Sequence, residues 1–184
     1  MSRLLVADDD RVVLFTLSEG LRKAGFDVRE ARDGLQALKI CTEEAPDLAL
    51  LDIRMPGLDG LELARRLRDE TDVPFMFFSA HGDLDYVNRA VRFGALGYLL
   101  KPLPVAAMVP TLRAALARAQ ELSGLKFALT RSRSIGMAVG ILMRETGMDQ
   151  QSAFERLRQL ARNRRSKIED IASHIVRQAE QCSH

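Results

Sequence analysis

Along the first half of the chain, short aliphatic runs alternate with stretches in which apolar residues recur every three or four positions. Residues 4–7, 28–31, 48–52, 74–79 and 97–100 read as strands. Arg11–Lys23, residues 35–44, residues 61–68 and Leu84–Phe93 read as helices, and Gly20, Gly25, Gly34, Gly57, Gly60, Gly82 and Gly94 punctuate their ends. A βα pattern repeated five times predicts an α/β, flavodoxin-like unit with a parallel sheet covered on both faces. The unbroken apolar run Leu48–Leu51 fits a strand buried on both sides, which makes the acid that follows it, Asp52, unusual.

After Pro104 the spacing lengthens into one helical stretch. Met108, Leu112, Ala115, Ala119 and Leu122 repeat at steps of four, three, four and three before Leu125 and Leu129 shift the register. Its first turns are expected to pack on the sheet, and its later turns against the same helix of a second subunit, as a coiled-coil homodimer. Pro110 removes one helical donor and is expected to bend it. Three helices are expected beyond, with Gly147 as a C-cap, Asp149 as an N-cap and Ser166 with Glu169 as a capping box. Ile135, Val139 and Leu142, then Phe154, Leu157 and Leu160/Ala161, then Ile168, Ile171/Ala172 and Ile175, supply a small core. Gly136 and Gly140 form a GxxxG pair in a segment too short and charged to span a membrane, so close helix packing explains it better. The expected organisation is an α/β domain over residues 1–120, a linker helix over 105–128 and a three-helix domain over 125–184.

Composition adds few constraints. A chain of 184 residues with 47% hydrophobic side chains can fill one large core or two small ones. No apolar run approaches the roughly 20 residues of a membrane span, and Met1-Ser2-Arg3 leads toward acids, not a signal-peptide core. Cys41 and Cys182 show no CxxC spacing, as reduced cytoplasmic thiols would. The net charge of +2 conceals an asymmetry: residues 1–123 carry 16 Lys/Arg against 19 Asp/Glu, and residues 124–184 carry 11 against 6. A basic second part is either a solvated surface or a surface for nucleic acid.

In an open parallel sheet the site lies beyond the carboxyl ends of the strands. Asp8-Asp9-Asp10 follow the first strand, Asp52 ends the third, Ser79 the fourth, and Lys101 follows the fifth. Carboxylates gathered there repel one another unless a cation sits among them, and a hard divalent ion such as Mg²⁺ or Mn²⁺ suits that oxygen-rich setting. One carboxylate is then free to attack phosphorus and form an aspartyl phosphate, with Lys101 and the Ser79 hydroxyl on the phosphoryl oxygens. Asp52 is the best candidate nucleophile.

Through "LLVADDD", "PDLALLDIRMPGLDGLEL", "FFSA" and "GYLLKPL", residues 2–120 resemble the receiver domain of two-component response regulators. The resemblance implies a sheet of order 2-1-3-4-5, Asp52 as phosphoacceptor, and Asp8, Asp9, Asp52 and the Arg54 backbone carbonyl as the metal site. It further implies Ser79 and Lys101 as phosphate contacts, a commonly cis Pro102, and Tyr98 as the aromatic switch residue. A sensor histidine kinase would supply the phosphoryl group, and the domain would hydrolyse it slowly without being a conventional enzyme.

His81, His174 and His184 are scattered along the chain, so no His/Cys constellation supports metal binding or nucleophilic catalysis in the second part. Its chemistry rests on Arg131, Arg133, Arg144, Arg162, Arg164, Arg165 and Lys167, a basic set that suits phosphates. "ARNRRSKIED" lacks the glycine turn of a DNA-reading helix-turn-helix and places its arginines in the connection, which favours RNA hairpins. "AVGILMRETGMDQQSAFERLRQLARNRRSKIEDIA" resembles the ANTAR domain of transcription antitermination regulators, implying binding of paired RNA hairpins in a nascent leader transcript. Where that family usually has Ala-Lys-Gly this chain has Ala138-Val139-Gly140, and Ser132, flanked by Arg131 and Arg133, stands at a usually basic position. Other readings of the output are a protein-partner surface and, behind it, a DNA-binding surface.

Overall fold

The computed structural model describes residues 1–181, so Cys182 and His184 lie outside the described residues. The element order is β1 (Arg3–Ala7), α1 (Arg11–Lys23), β2 (Asp27–Ala31), α2 (Gly34–Glu44), β3 (Leu48–Leu51), α3 (Gly60–Glu70), β4 (Phe75–Ser79), α4 (Leu84–Phe93), β5 (Tyr98–Leu100), α5 (Val105–Thr146), α6 (Gln150–Asn163) and α7 (Ile168–Gln181). The chain divides into two compact units, Met1–Glu121 and the remainder from Leu122.

In the first unit the five parallel strands stand in the order β2-β1-β3-β4-β5. Period-two alternation sorts β3 between two cores. Leu48 and Leu50 join Leu14, Leu17, Leu21, Met108 and Leu112 on the α1/α5 side. Ala49 and Leu51 join Leu38, Leu63, Leu67 and Phe77 on the α2–α4 side. Both faces are therefore covered, and the continuous apolar run needs no polar position. Aspartates start the helices: Asp10, Asp33 and Asp59 accept from backbone N–H groups of the first turns of α1, α2 and α3.

Helix α5 is continuous through Pro110. Its first turns bury Met108, Leu112, Ala115 and Leu116 against the sheet, so the start of the heptad-like seam serves this unit's own core. Farther along, Leu122, Leu125 and Leu129 are 43%, 58% and 70% exposed.

The second unit closes a core of Ala138, Val139, Leu142, Ala153, Leu157, Ala161, Ile171 and Ala172, flanked by Ile135, Leu160, Ile168 and Ile175. Gly147 takes φ 70° just past α5, and its N–H donates to the Met143 carbonyl at 2.9 Å. Asp149 caps α6 through Ser152 N at 2.9 Å.

Three sequence expectations are corrected here. Phe154 is 37% exposed, its ring lying 5.4 Å from the Arg158 guanidinium carbon instead of in the core. Gly136 and Gly140 are exposed, with nothing within 4 Å of where a Cβ would stand, so packing within this unit does not require them. Ser166 and Glu169 form no capping box, because the turn leaving α6 takes the Ser166 N–H to Ala161 O and α7 starts one residue late. The first α7 bonds run from Asp170 N and Ile171 N to Lys167 O, and the Ser166 hydroxyl donates to Arg164 O.

Candidate phosphoacceptor and nucleic-acid sites

Four strands deliver side chains to one edge of the sheet. Asp8 follows β1 and Asp52 follows β3, whose next backbone bond, Asp52 N to Ala7 O at 2.8 Å, extends the β1–β3 ladder to the acid itself. Asp52 is 7% exposed and Asp8 2% exposed. Lys101 N donates to Ser79 O at 2.9 Å across the β4–β5 boundary, and the peptide bond from Lys101 to Pro102 is cis.

The Lys101 ammonium bridges the acids, donating to Asp8 Oδ2 at 2.6 Å and to Asp52 Oδ1 at 3.0 Å. Burial opposes its charge, but the hydrogen bonds with Asp8 and Asp52 outweigh that and raise its pKa. Burial raises the pKa of Asp8, while the hydrogen bond and charge of Lys101 pull the other way. The second Asp52 oxygen accepts from Arg54 N at 2.9 Å, and Asp8 Oδ1 accepts from Asp10 N at 3.1 Å. One carboxylate oxygen from each of Asp8, Asp9 and Asp52 lies within 4.8 Å of the other two, which suits a hard divalent cation. Asp10 belongs to the α1 cap instead, accepting from Val12 N and Val13 N.

Ser79 is fully buried, and its hydroxyl accepts from His81 N at 3.5 Å. The Tyr98 hydroxyl donates to the His81 carbonyl, and its ring centroid lies 6.0 Å from that of Phe77. Beside the acids, a cleft of about 500 Å³ is lined by Asp9, Arg54, Met55, Asp59, Tyr86 and Arg89.

Close backbone packing holds this edge. Gly60 N donates to Ile53 O at 2.8 Å, and a Cβ on Gly60 would stand 2.0 Å from Asp52 O. Only a glycine admits α3 that near to the strand end.

In the second unit the seven basic residues separate into groups. Arg131 pairs with Glu169, and its guanidinium carbon lies 5.4 Å from the Phe127 ring centroid, so it joins α5 to α7. Arg144 and Arg164 line one cleft of about 660 Å³ with His174 and Gln178 over Leu142, Leu160, Ile171 and Ile175. Arg162 and Arg165 line another, of about 430 Å³, with Arg158. Arg133 and Lys167 are exposed and line neither cleft. Sequence reasoning missed Arg158 and His174; the four-residue step from Arg158 to Arg162 was the available signal for the former. Val139 is 6% exposed and borders a third cleft with Ile135, Met143 and Phe154.

Comparisons with known proteins agree with this division. Residues 4–113 match the response regulator receiver domain, and residues 124–176 match the ANTAR domain. The transcriptional regulatory protein PdtaR of Mycobacterium tuberculosis is 29% identical over 182 residues, covering 95% of this chain and 89% of that one. PrrA of Mycobacterium leprae, also a transcriptional regulatory protein, is 41% identical over 141 residues, covering 76% of this chain and 58% of its own. Among solved structures, a receiver domain protein from Clostridium thermocellum is 29% identical with a TM-score of 0.62, covering 66% of this chain and 99% of that one. The receiver domain of the Francisella response regulator 1452 is 27% identical with a TM-score of 0.61, covering 64% of this chain and 98% of that one. With a receiver sheet in the order β2-β1-β3-β4-β5 and a helical ANTAR unit following it in sequence, the chain belongs to the response regulators.

Proposed function

We propose that this protein is a phosphorylation-controlled regulator whose helical unit binds hairpin RNA in nascent transcripts and promotes antitermination. The observation that carries the first half is the Lys101 bridge between Asp8 and Asp52, which leaves an immobilised carboxylate at the end of a buried strand. Asp52 accepts the phosphoryl group from a sensor histidine kinase. Asp8, Asp9, Asp52 and the Arg54 carbonyl hold Mg²⁺ or Mn²⁺, and the carboxylate spacing fits such an ion. With the cation bound, charge building on the phosphoryl oxygens is neutralised. Lys101 and the Ser79 hydroxyl hold those oxygens, and Tyr98 follows Ser79 inward, altering the face near α4 and β5. Loss of the group by slow hydrolysis resets the switch, so the domain is no conventional enzyme.

The exposed Leu122, Leu125 and Leu129 support a homodimer through α5. Such a dimer presents two basic helical units, matching paired hairpins. No described helix is long and apolar enough to cross a membrane; binding to nascent transcripts would require the protein in the cytoplasm.

A salt-titrated binding assay comparing a tandem-hairpin leader RNA with duplex DNA, with and without a phosphoryl mimic, tests the reading. Preference for the RNA that strengthens on phosphorylation is expected. A second reading, docking of a protein partner, draws on the cleft of about 630 Å³ lined by Ile135, Val139, Met143 and Phe154. Absence of RNA preference in both states would favour it.

A further inference from the structure

The turn between α6 and α7 carries a backbone conformation at odds with its residue. Ser166 N–H donates to Ala161 O at 3.0 Å and Arg165 N–H to Arg162 O at 3.1 Å, the paired bonds of a Schellman turn. That geometry puts Arg165 at φ 50°, in the left-handed region that L-residues enter at a cost. After α1 and α4 the chain gives this place to glycine. Gly25 closes α1 at φ 94° with the same paired bonds from Phe26 N to Leu21 O and Gly25 N to Arg22 O, and Gly94 closes α4 at φ 86°. Ala45, at φ 44°, is the other described non-glycine, and its carbonyl accepts from the Arg3 guanidinium at 3.2 Å. At the end of α6 the chain keeps one of its longest side chains instead.

Neither packing nor helix electrostatics requires that choice. Arg165 is exposed, and none of the described carboxylates lies within ion-pair distance of it. The negative end of α6 already has Arg162 in its last turn. Arg165 instead adds a third guanidinium to the cleft of about 430 Å³ that Arg158 and Arg162 line, and those two share the single carboxylate of Glu155, at 3.0 and 3.8 Å. Between Glu155 and Glu169 the sequence holds six cations and no acid, so the cleft carries unneutralised positive charge.

We propose that Arg165 is kept at a glycine position because its guanidinium, with Arg158 and Arg162, binds a backbone phosphate of RNA. The proposal rests on the RNA-binding reading of this unit. Guanidinium groups suit the task, since their planar fork meets phosphate oxygens in pairs, and phosphate contacts fix the register of a bound strand.

The test uses the full chain with Arg165→Gly and Arg165→Asn, and Arg156→Gln as a control that removes the same charge outside the cleft. Thermal melting and affinity for a tandem-hairpin leader RNA are measured across a salt series. Both Arg165 variants should melt a few degrees higher, because the left-handed strain is relieved. They should bind RNA about tenfold more weakly at moderate salt, with a salt slope shallower by about one. Arg156→Gln should leave the slope near that of the wild type. RNA affinity and slope unchanged in Arg165→Gly, or a melting temperature below that of the wild type, overturns the assignment while leaving the RNA reading intact. A wild-type chain without RNA affinity overturns both.

Discussion

Replacing Gly60 by alanine should impair phosphorylation of Asp52 although position 60 is eight residues away in sequence. The added Cβ would stand 2.0 Å from Asp52 O, 2.9 Å from the Asp52 carbonyl carbon and 2.9 Å from Ile53 Cα, all of them backbone atoms. An ordinary carbon–oxygen contact needs about 3.3 Å, so the start of α3 and the end of β3 must separate by roughly 1.3 Å. The acid cannot yield freely, since Asp52 N is bonded to Ala7 O at 2.8 Å and its carboxylate to Lys101 at 3.0 Å. Overpacking of this kind costs about 1–3 kcal/mol of stability, and misplacing a reacting group by about 1 Å costs up to 10²-fold in rate. Urea unfolding gives the first quantity, and labelling by a small phosphoryl donor with Mg²⁺ gives the second. Gly57→Ala is the comparison: it forces alanine to φ 76° but meets nothing within 4 Å, so it should cost stability without a comparable loss of labelling. A Gly60→Ala protein that labels at the wild-type rate with an unchanged unfolding midpoint would refute the argument.

Other consequences are checked as directly. Asp52→Asn should take up no stable label, and labelling of that variant would remove Asp52 as acceptor. Leu157→Ala, at a fully buried position of the small helical core, should cost about 2–5 kcal/mol, read as early loss of helix signal from the second unit during melting. Burial pushes the Cys41 thiol up to about 12 from an ordinary 9.0. The folded state therefore holds the proton more tightly than the unfolded one, and stability should fall as pH rises from about 9 toward about 12, whereas alkylation at pH 8 should require unfolding. Leu125→Glu with Leu129→Glu should make the chain monomeric by sedimentation without lowering its helix content; an unchanged mass would place any dimer elsewhere.

Period-two and period-3.6 patterning made the receiver sheet legible because both cores are filled by regularly spaced apolar residues. The site was legible for a related reason: parallel strands bring their carboxyl ends to one edge, so Asp8, Asp52, Ser79 and Lys101 could be collected without knowing any distance. What escaped depended on competition for single backbone groups. Ser166 and Glu169 have capping-box spacing, yet the Ser166 N–H is taken by Ala161 O. Gly136 and Gly140 have packing spacing, yet no neighbour approaches them within this unit. Gly60 looked like punctuation, and its role beside Asp52 lies in a contact between residues eight apart that periodicity does not encode.

The same distinction bears on Val139, where the resemblance to ANTAR domains leads one to expect a lysine. A cation there would have to leave water, since Val139 is 6% exposed and packs in the core with Ala138, Leu142 and Leu157. Burying an unpaired ammonium costs far more than burying valine, so this position in this chain has been given to packing. Exposed positive charge gathers instead on Arg158, Arg162, Arg164 and Arg165, toward the end of α6 and the turn beyond it, with Arg133 and Arg144 exposed on α5. If RNA is the partner, its affinity should therefore respond weakly to Val139→Thr, a change of similar size, and strongly to loss of the α6-end arginines. The reverse ranking in a salt-titrated assay would move the binding surface back to α5.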